Sequence, residues 1–207
     1  MADDVKVVLD TLNIENAALV GFSMGGAISI HYIARHNVAH IKKLALLGAA
    51  APCFTKRPDF PHGLDKSAVD DLIQQTYTDR PSMLKNFSQL FFQHPEKLSA
   101  EFNMWNLSLG LAASAHATIH CAVELRDADL RKDLAAIQVP TLILHGTEDR
   151  VCLFDLAKKM NEGIKGSQLV PVEKAGHGFY YEQREKSTQN LCALLTRSFS
   201  NSMIYVK

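Results

Sequence analysis

Three short stretches of this chain hold side chains whose types and settings suit joint chemistry. The first is Gly21-Phe22-Ser23-Met24-Gly25, which follows the apolar run Ala17 to Val20 and leads directly into a helical pattern. That is the setting of a nucleophile elbow, a sharp strand-to-helix turn that pushes a serine out of the sheet. Glycines on either side put no Cβ where the strand leaves and the helix begins. Ser23 then stands near the amino end of a helix, where unpaired backbone N–H groups stabilise developing negative charge.

A hydroxyl is a weak nucleophile at neutral pH, so Ser23 needs a base to take its proton and an acid to orient that base. Asp149, in His145-Gly146-Thr147-Glu148-Asp149, and His177, in Ala175-Gly176-His177-Gly178, supply both. Each lies just past the carboxyl end of a predicted strand, the edge at which parallel sheets gather their active sites. The glycines beside His177 are expected to leave its imidazole unobstructed. Glu148 competes with Asp149 for the acid role, and the bland alternative has both solvated on a loop. His31, His36, His40, His62, His94 and His116 are expected to be surface or packing residues.

Other chemistries find less support. His116 and His120 lie four apart on a predicted helix beside Cys121, a metal-type spacing with no third ligand evident, so no metal is expected. Gly21 to Gly26 lacks the Lys-Ser/Thr of a phosphate loop and the spacing of a dinucleotide fingerprint, so no nucleotide cofactor is expected.

The elements that must position these residues read as an α/β pattern. Val5, Val8, Leu9 and Leu12 share a helix face that Asp3 or Asp4 is expected to cap. Ala17 to Val20 is a strand, and a buried helix through Ala27, Ile28, Ile30, Ile33 and Ala34 ends at Arg35-His36-Asn37. Leu44 to Leu47, Thr141 to Leu144 (closed by His145-Gly146) and Gln168 to Val172 are further strands. Apolar runs separated by helices imply a parallel sheet flanked by helices on both faces.

Between Pro52 and about Leu134 the texture becomes helical and aromatic, so residues 55–134 are expected to be a helical cap inserted into a core of 1–54 and 135–207. Phe87, Leu90, Phe91 and Phe92 fall close to one helix face, and Phe102, Trp105 and Leu109 to another. They could line a pocket, but the expected role of any one of them is to hold the cap to the core.

Composition limits the partners. The 207 residues are 47% apolar and 21% charged, with 22 basic and 22 acidic side chains, so no net field favours nucleic acid or an anionic membrane. A small, weakly charged substrate is the expected partner. Cys53, Cys121, Cys152 and Cys192 are widely spaced and Met1-Ala2-Asp3-Asp4 is unlike a signal peptide, which implies reduced thiols and a cytoplasmic location. The sequons at Asn86 and Asn106 would matter only in a secreted protein.

Taken together, the chain resembles the α/β-hydrolase superfamily, and within it the branch of cofactor-free haloperoxidases, serine esterases with perhydrolase side activity. The carriers are the segment from Ala2-Asp3-Asp4 through Gly21-Phe22-Ser23-Met24-Gly25-Gly26, then Tyr32-Ile33-Ala34-Arg35-His36, Asp79-Arg80, and Val139-Pro140-Thr141-Leu142 with His145-Gly146 and Asp149. The order Ser, Asp, His is that of the superfamily's triads. The resemblance implies Ser23, His177 and Asp149 as that triad, the Met24 backbone N–H as an oxyanion donor, and a small carboxylic ester as substrate. Leu153 stands where the family commonly has proline, a change expected to affect loop stiffness. Members also carry strands and a His-Gly oxyanion loop ahead of the helix that opens this sequence. Without them the Ala17 to Val20 strand is expected to have an open apolar edge, prone to pairing with a second copy. Two rival readings stand beside esterase action: a catalytically silent binding or regulatory module, and hydrolysis of a carbon–carbon or lactone bond on the same fold.

Overall fold

The computed structural model describes residues 1–36 and 40–196, so Asn37 lies outside the described residues. Four strands form one sheet: β1 (Ala17–Phe22), β2 (Ile41–Leu47), β3 (Thr141–Gly146) and β4 (Gln168–Val172). They lie side by side in that order, and every neighbouring pair is parallel. Eight helices accompany them among the described residues: α1 (Ala2–Thr11), α2 (Met24–Arg35), α3 (Lys66–Phe91), α4 (Ala100–Ala112), α5 (Ala115–Asp127), α6 (Phe154–Gly163), α7 (Phe179–Glu182) and α8 (Arg184–Thr196). Parallel neighbours need crossovers rather than hairpins. Here α2 and α6 supply two of them.

The continuous apolar runs of β2 and β3 follow from burial on both faces. Leu44 and Leu46 of β2 and Ile143 of β3 pack with Ile30, Tyr32 and Met160 from the helices of one layer. Ala45, Leu142 and Leu144 point the other way, against Val172, Phe179 and Leu194. This alternation is what a strand's two-residue period dictates. His145 and Gly146 belong to β3 itself rather than closing it. At the other side of the sheet, no strand among the described residues pairs with the outer edge of β1, where Val20 is 43% exposed.

The first helix departs from expectation at its start. Residue 1 takes the N-cap position without a side-chain bond, which places Asp3 and Asp4 in the first turn, where they still oppose the helix dipole. The Asp3 carboxylate accepts from Arg35 Nε at 2.7 Å and lies 2.9 Å from His36 Nε2, tying α1 to the end of α2.

Between β2 and β3 the chain is helical. Pro81 has no N–H to continue the ladder, and α3 breaks at Asp79 (φ −152°, ψ 78°). The Asp79 carboxylate then caps the second half by accepting from the Ser82 N–H at 3.1 Å. Arg80 donates to the carbonyls of Gly110, Leu111 and Ala113 at the end of α4, which binds α3 and α4 together.

The aromatics of α3 and α4 correct the sequence expectation in part. Phe87 and Phe91 do pack edge to face at 5.3 Å, but Leu90 is exposed and Phe92 lies beyond the helix end, fully buried. On α4, Trp105 and Leu109 are more than half exposed, and no residue of that helix is buried. Its Phe102 meets Tyr181 and Phe92, with ring centres 4.3 and 5.7 Å away. A helix apolar on nearly every side gives no period from which to tell the packed face.

Candidate active site

Ser23 occupies the turn between β1 and α2 with φ 52° and ψ −121°, a backbone conformation that costs a non-glycine residue about 1–3 kcal/mol. The surrounding backbone holds it there. Its N–H donates to the Leu47 carbonyl at 2.9 Å, and its own carbonyl accepts from Gly26 at 2.9 Å and Ala50 at 3.0 Å. A Cβ at Gly21 would meet the Gly25 carbonyl oxygen at 2.5 Å, and one at Gly26 would meet the Ala49 Cβ at 2.3 Å. At Gly25 a Cβ would meet nothing within 4 Å. The sterically required pair is therefore Gly21 and Gly26, not the two residues that frame the pentapeptide.

Asp149 lies in the loop after β3, buried, while its neighbour Glu148 is exposed. One carboxylate oxygen, Oδ1, accepts from the N–H groups of Val151 and Cys152, both at 2.8 Å. The other, Oδ2, lies 2.7 Å from His177 Nδ1 and 3.3 Å from His145 Nε2. Burial pushes this carboxyl up, but the bonds from His145 and His177 outweigh it and hold it down at about 2. The group is thus ionised at neutral pH, and His177 carries its proton on Nδ1. That tautomer leaves Nε2 as the basic nitrogen. Nε2 is buried and has no hydrogen-bond partner among the described residues.

His177 is fully buried, contrary to the expectation of an unobstructed ring. The rings of Phe22 and Phe91 each lie 4.8 Å from it, centre to centre. Its flanking glycines serve a different purpose. A Cβ at Gly176 would meet the Phe91 carbonyl oxygen at 2.7 Å, and one at Gly178 would meet the Phe92 ring at 2.3 Å. They let the end of α3 press its backbone and Phe92 ring against the histidine loop.

The structure thus brings Asp149 and His177 into direct contact. Ser23 is not joined to this pair, since His177 Nε2 has no hydrogen-bond partner among the described residues; the serine side chain bears instead on the buried thiol of Cys152. Burial drives that thiol well above its ordinary pKa, the Asp149 charge adds to the rise, and the Ser23 contact opposes it. Phe22, next to Ser23 in sequence, touches the His177 ring. Met24, the first residue of α2, follows at once.

Sequence reasoning missed two residues here. His145 is buried, and its Nε2–H donates to the Cys152 carbonyl at 2.6 Å, closing the loop that offers two N–H groups to Asp149. Its only sequence signal was the His-Gly pair. Cys152 gave none, because its neighbours come from distant segments.

The remaining histidines are mixed. His31 bonds Asp133 and His40 bonds the Tyr32 hydroxyl, each at 2.7 Å. His116 and His120 lie exposed on α5 with ring centres 4.3 Å apart. No group of three or more His, Cys, Asp or Glu side chains arranged to hold a metal ion occurs among the described residues. A cavity of about 570 Å³ lies at the opposite, amino end of the strands, lined by Asn13, Asn16, His40 and Lys42 among others. No described helix is long and apolar enough to cross a membrane.

Known proteins share this frame. The family model for the alpha/beta hydrolase fold matches residues 1–183. The AB hydrolase superfamily protein YisY of Bacillus subtilis is 54% identical over 202 residues, which are 98% of this chain and 73% of that protein. The bifunctional esterase/perhydrolase DCH of Acinetobacter calcoaceticus is 30% identical over 201 residues, 94% of this chain and 72% of its own length. An esterase structure from Exiguobacterium antarcticum aligns with a TM-score of 0.92 at 44% identity, covering 95% of this chain and 73% of that one. A bromoperoxidase structure from Bacillus anthracis aligns at 0.91 and 29% identity, with 95% and 73% covered.

Proposed function

Because this chain belongs to the α/β-hydrolase fold family, we propose that it is a serine hydrolase that cleaves small carboxylic esters through Ser23, His177 and Asp149. The observation that carries this reading is the bond from His177 Nδ1 to an ionised Asp149, which leaves Nε2 buried, basic and unpartnered. A buried imidazole with one nitrogen committed and the other vacant suits proton transfer.

In the proposed reaction Ser23 Oγ attacks the ester carbonyl while its proton passes to His177 Nε2. Asp149 stabilises the imidazolium through Nδ1, and the Met24 N–H at the start of α2 receives charge on the carbonyl oxygen. The imidazolium then protonates the departing alcohol, leaving an acyl group on Ser23. Water, activated in turn by His177, releases the acid. The likeness to an esterase/perhydrolase supports a side reaction in which hydrogen peroxide takes the place of water and leaves as the peracid. The division into a core of 1–54 and 135–207 and a cap of 55–134 belongs to the same proposal. The α3, α4 and α5 helices between β2 and β3 support it.

A fluorophosphonate probe tests the assignment, since it reacts only with an activated serine. Covalent label at Ser23, lost in Ser23→Ala and His177→Gln together with hydrolysis of p-nitrophenyl acetate, is the expected result. Full hydrolysis by Ser23→Ala rules the reading out.

A further inference from the structure

Outside the three residues proposed for the reaction, the half-buried carboxylate of Glu182 on α7 gathers three backbone N–H groups from two distant segments. Its Oε2 accepts from Gly176 at 2.7 Å, and its Oε1 accepts from Gln93 at 2.6 Å and His94 at 3.2 Å. Gly176 immediately precedes His177, whereas Gln93 and His94 leave the end of α3 in the cap. A carboxylate spanning backbone donors forms charge-assisted bonds, roughly twice as strong as neutral ones.

The same strap of residues, 89–94, is gripped elsewhere too. The Gly178 N–H donates to the Phe91 carbonyl at 2.5 Å, and Arg150 donates to the carbonyls of Gln89 at 3.1 Å and Phe92 at 2.8 Å. Arg150 follows Asp149 in sequence. The strap is therefore tied both to the loop of the acid and to the loop of the base. It also carries Phe91, whose ring stands edge-on to the His177 imidazole at 4.8 Å.

We propose that Glu182 is a positioning residue that locks the His177 loop to the cap, so that the imidazole stays seated against Asp149 only while residues 91–94 are docked. Its bearing on rate rests on the triad reading above; its bearing on the ring's placement does not. Glu182→Gln is the informative change. The amide can accept through one oxygen only, and its NH2 group turns a donor toward backbone donors.

The test is nuclear magnetic resonance of the ¹⁵N-labelled chain. The bonded Nδ1 proton of His177, assigned by its disappearance in His177→Gln, should be sharp in the parent and broadened by exchange with water in Glu182→Gln. Amide exchange at Gly176 and Gln93 should quicken by about tenfold or more while far-UV circular dichroism stays native. With p-nitrophenyl acetate, kcat should fall by about ten- to a hundredfold with KM little changed. Should Glu182→Gln fail to fold, Glu182→Asp, which keeps the charge but shortens the reach, is read in the same way. An unchanged imidazole proton and unchanged amide protection in a folded variant overturn the proposal. So does a parent chain without that proton. Ester hydrolysis that survives His177→Gln would instead defeat the triad and leave the clamp standing.

Discussion

The elbow that holds Ser23 and the pair formed by Asp149 and His177 are built in opposite ways. The elbow is local: its strained serine, its required glycines at 21 and 26 and the first turn of α2 lie within one short stretch, pinned by the backbone of β2 and the segment after it. The Asp149–His177 pair joins residues 28 positions apart and is supported by two loops and the strap that follows α3. A local device is fixed by sterics within one stretch of sequence. A distributed one depends on packing among segments that meet only when the whole domain folds.

The largest separation of the two should come from Asp149→Asn. It leaves the elbow intact but favours the wrong imidazole tautomer, and ester hydrolysis is expected to fall by about ten-thousandfold in kcat. Steady-state kinetics on a folded sample check this, and a fall of less than about tenfold would dissolve the contrast.

Acid should weaken the distributed side. The folded Asp149 carboxyl sits at about 2 against an ordinary 3.8, so its pKa is depressed by folding. The stability it contributes is full above pH 4 and disappears as pH falls from about 4 through 2, an amount of about 2 kcal/mol. Urea denaturation at pH 5 and pH 3 should show a smaller loss in Asp149→Asn than in the parent chain. Equal losses would contradict the assigned charge state.

The elbow can be probed by two adjacent glycines. Gly26→Ala forces a methyl group into the Ala49 contact at 2.3 Å and should destabilise by about 1–3 kcal/mol. Gly25→Ala enters open space and should change stability by less than about 1 kcal/mol. Thermal melts of the two variants measure the difference, and a reversed order would refute the steric assignment.

The smallest expected effect concerns the outer side of β1. Its exposed Val20 is expected to favour pairing between copies. Sedimentation velocity should show weak, concentration-dependent association that Val20→Lys reduces, with stability altered by only about 0.5 kcal/mol. A parent chain that stays monomeric at every concentration would exclude such pairing.

The four strands and the parallel arrangement were legible because continuous apolar runs separated by helices admit few other packings. The place of Ser23 at a strand-to-helix turn was legible because such a turn is a short-range motif. The choice of Asp149 over Glu148 rested on position alone. The structure separates them by burial and by three hydrogen bonds that only the aspartate makes. The cap was harder. Trp105 and Leu109 remain more than half exposed and Leu90 more than a third, so hydrophobicity without a clear helical period misassigned their faces. Gly176 and Gly178 were noticed for a reason that proved incorrect, since their role is set by the Phe91 backbone and the Phe92 ring, far away in sequence.

Sequence alone therefore determined the sheet and the strand-to-helix turn at Ser23, because each follows from short-range sterics or from the period of apolar side chains. Only the tertiary structure decided which carboxylate holds the imidazole, that the imidazole is enclosed, and that Glu182 joins residues 93 and 94 to its loop. Those outcomes depend on hydrogen bonds to backbone groups of remote segments, and a backbone N–H has no letter in the sequence.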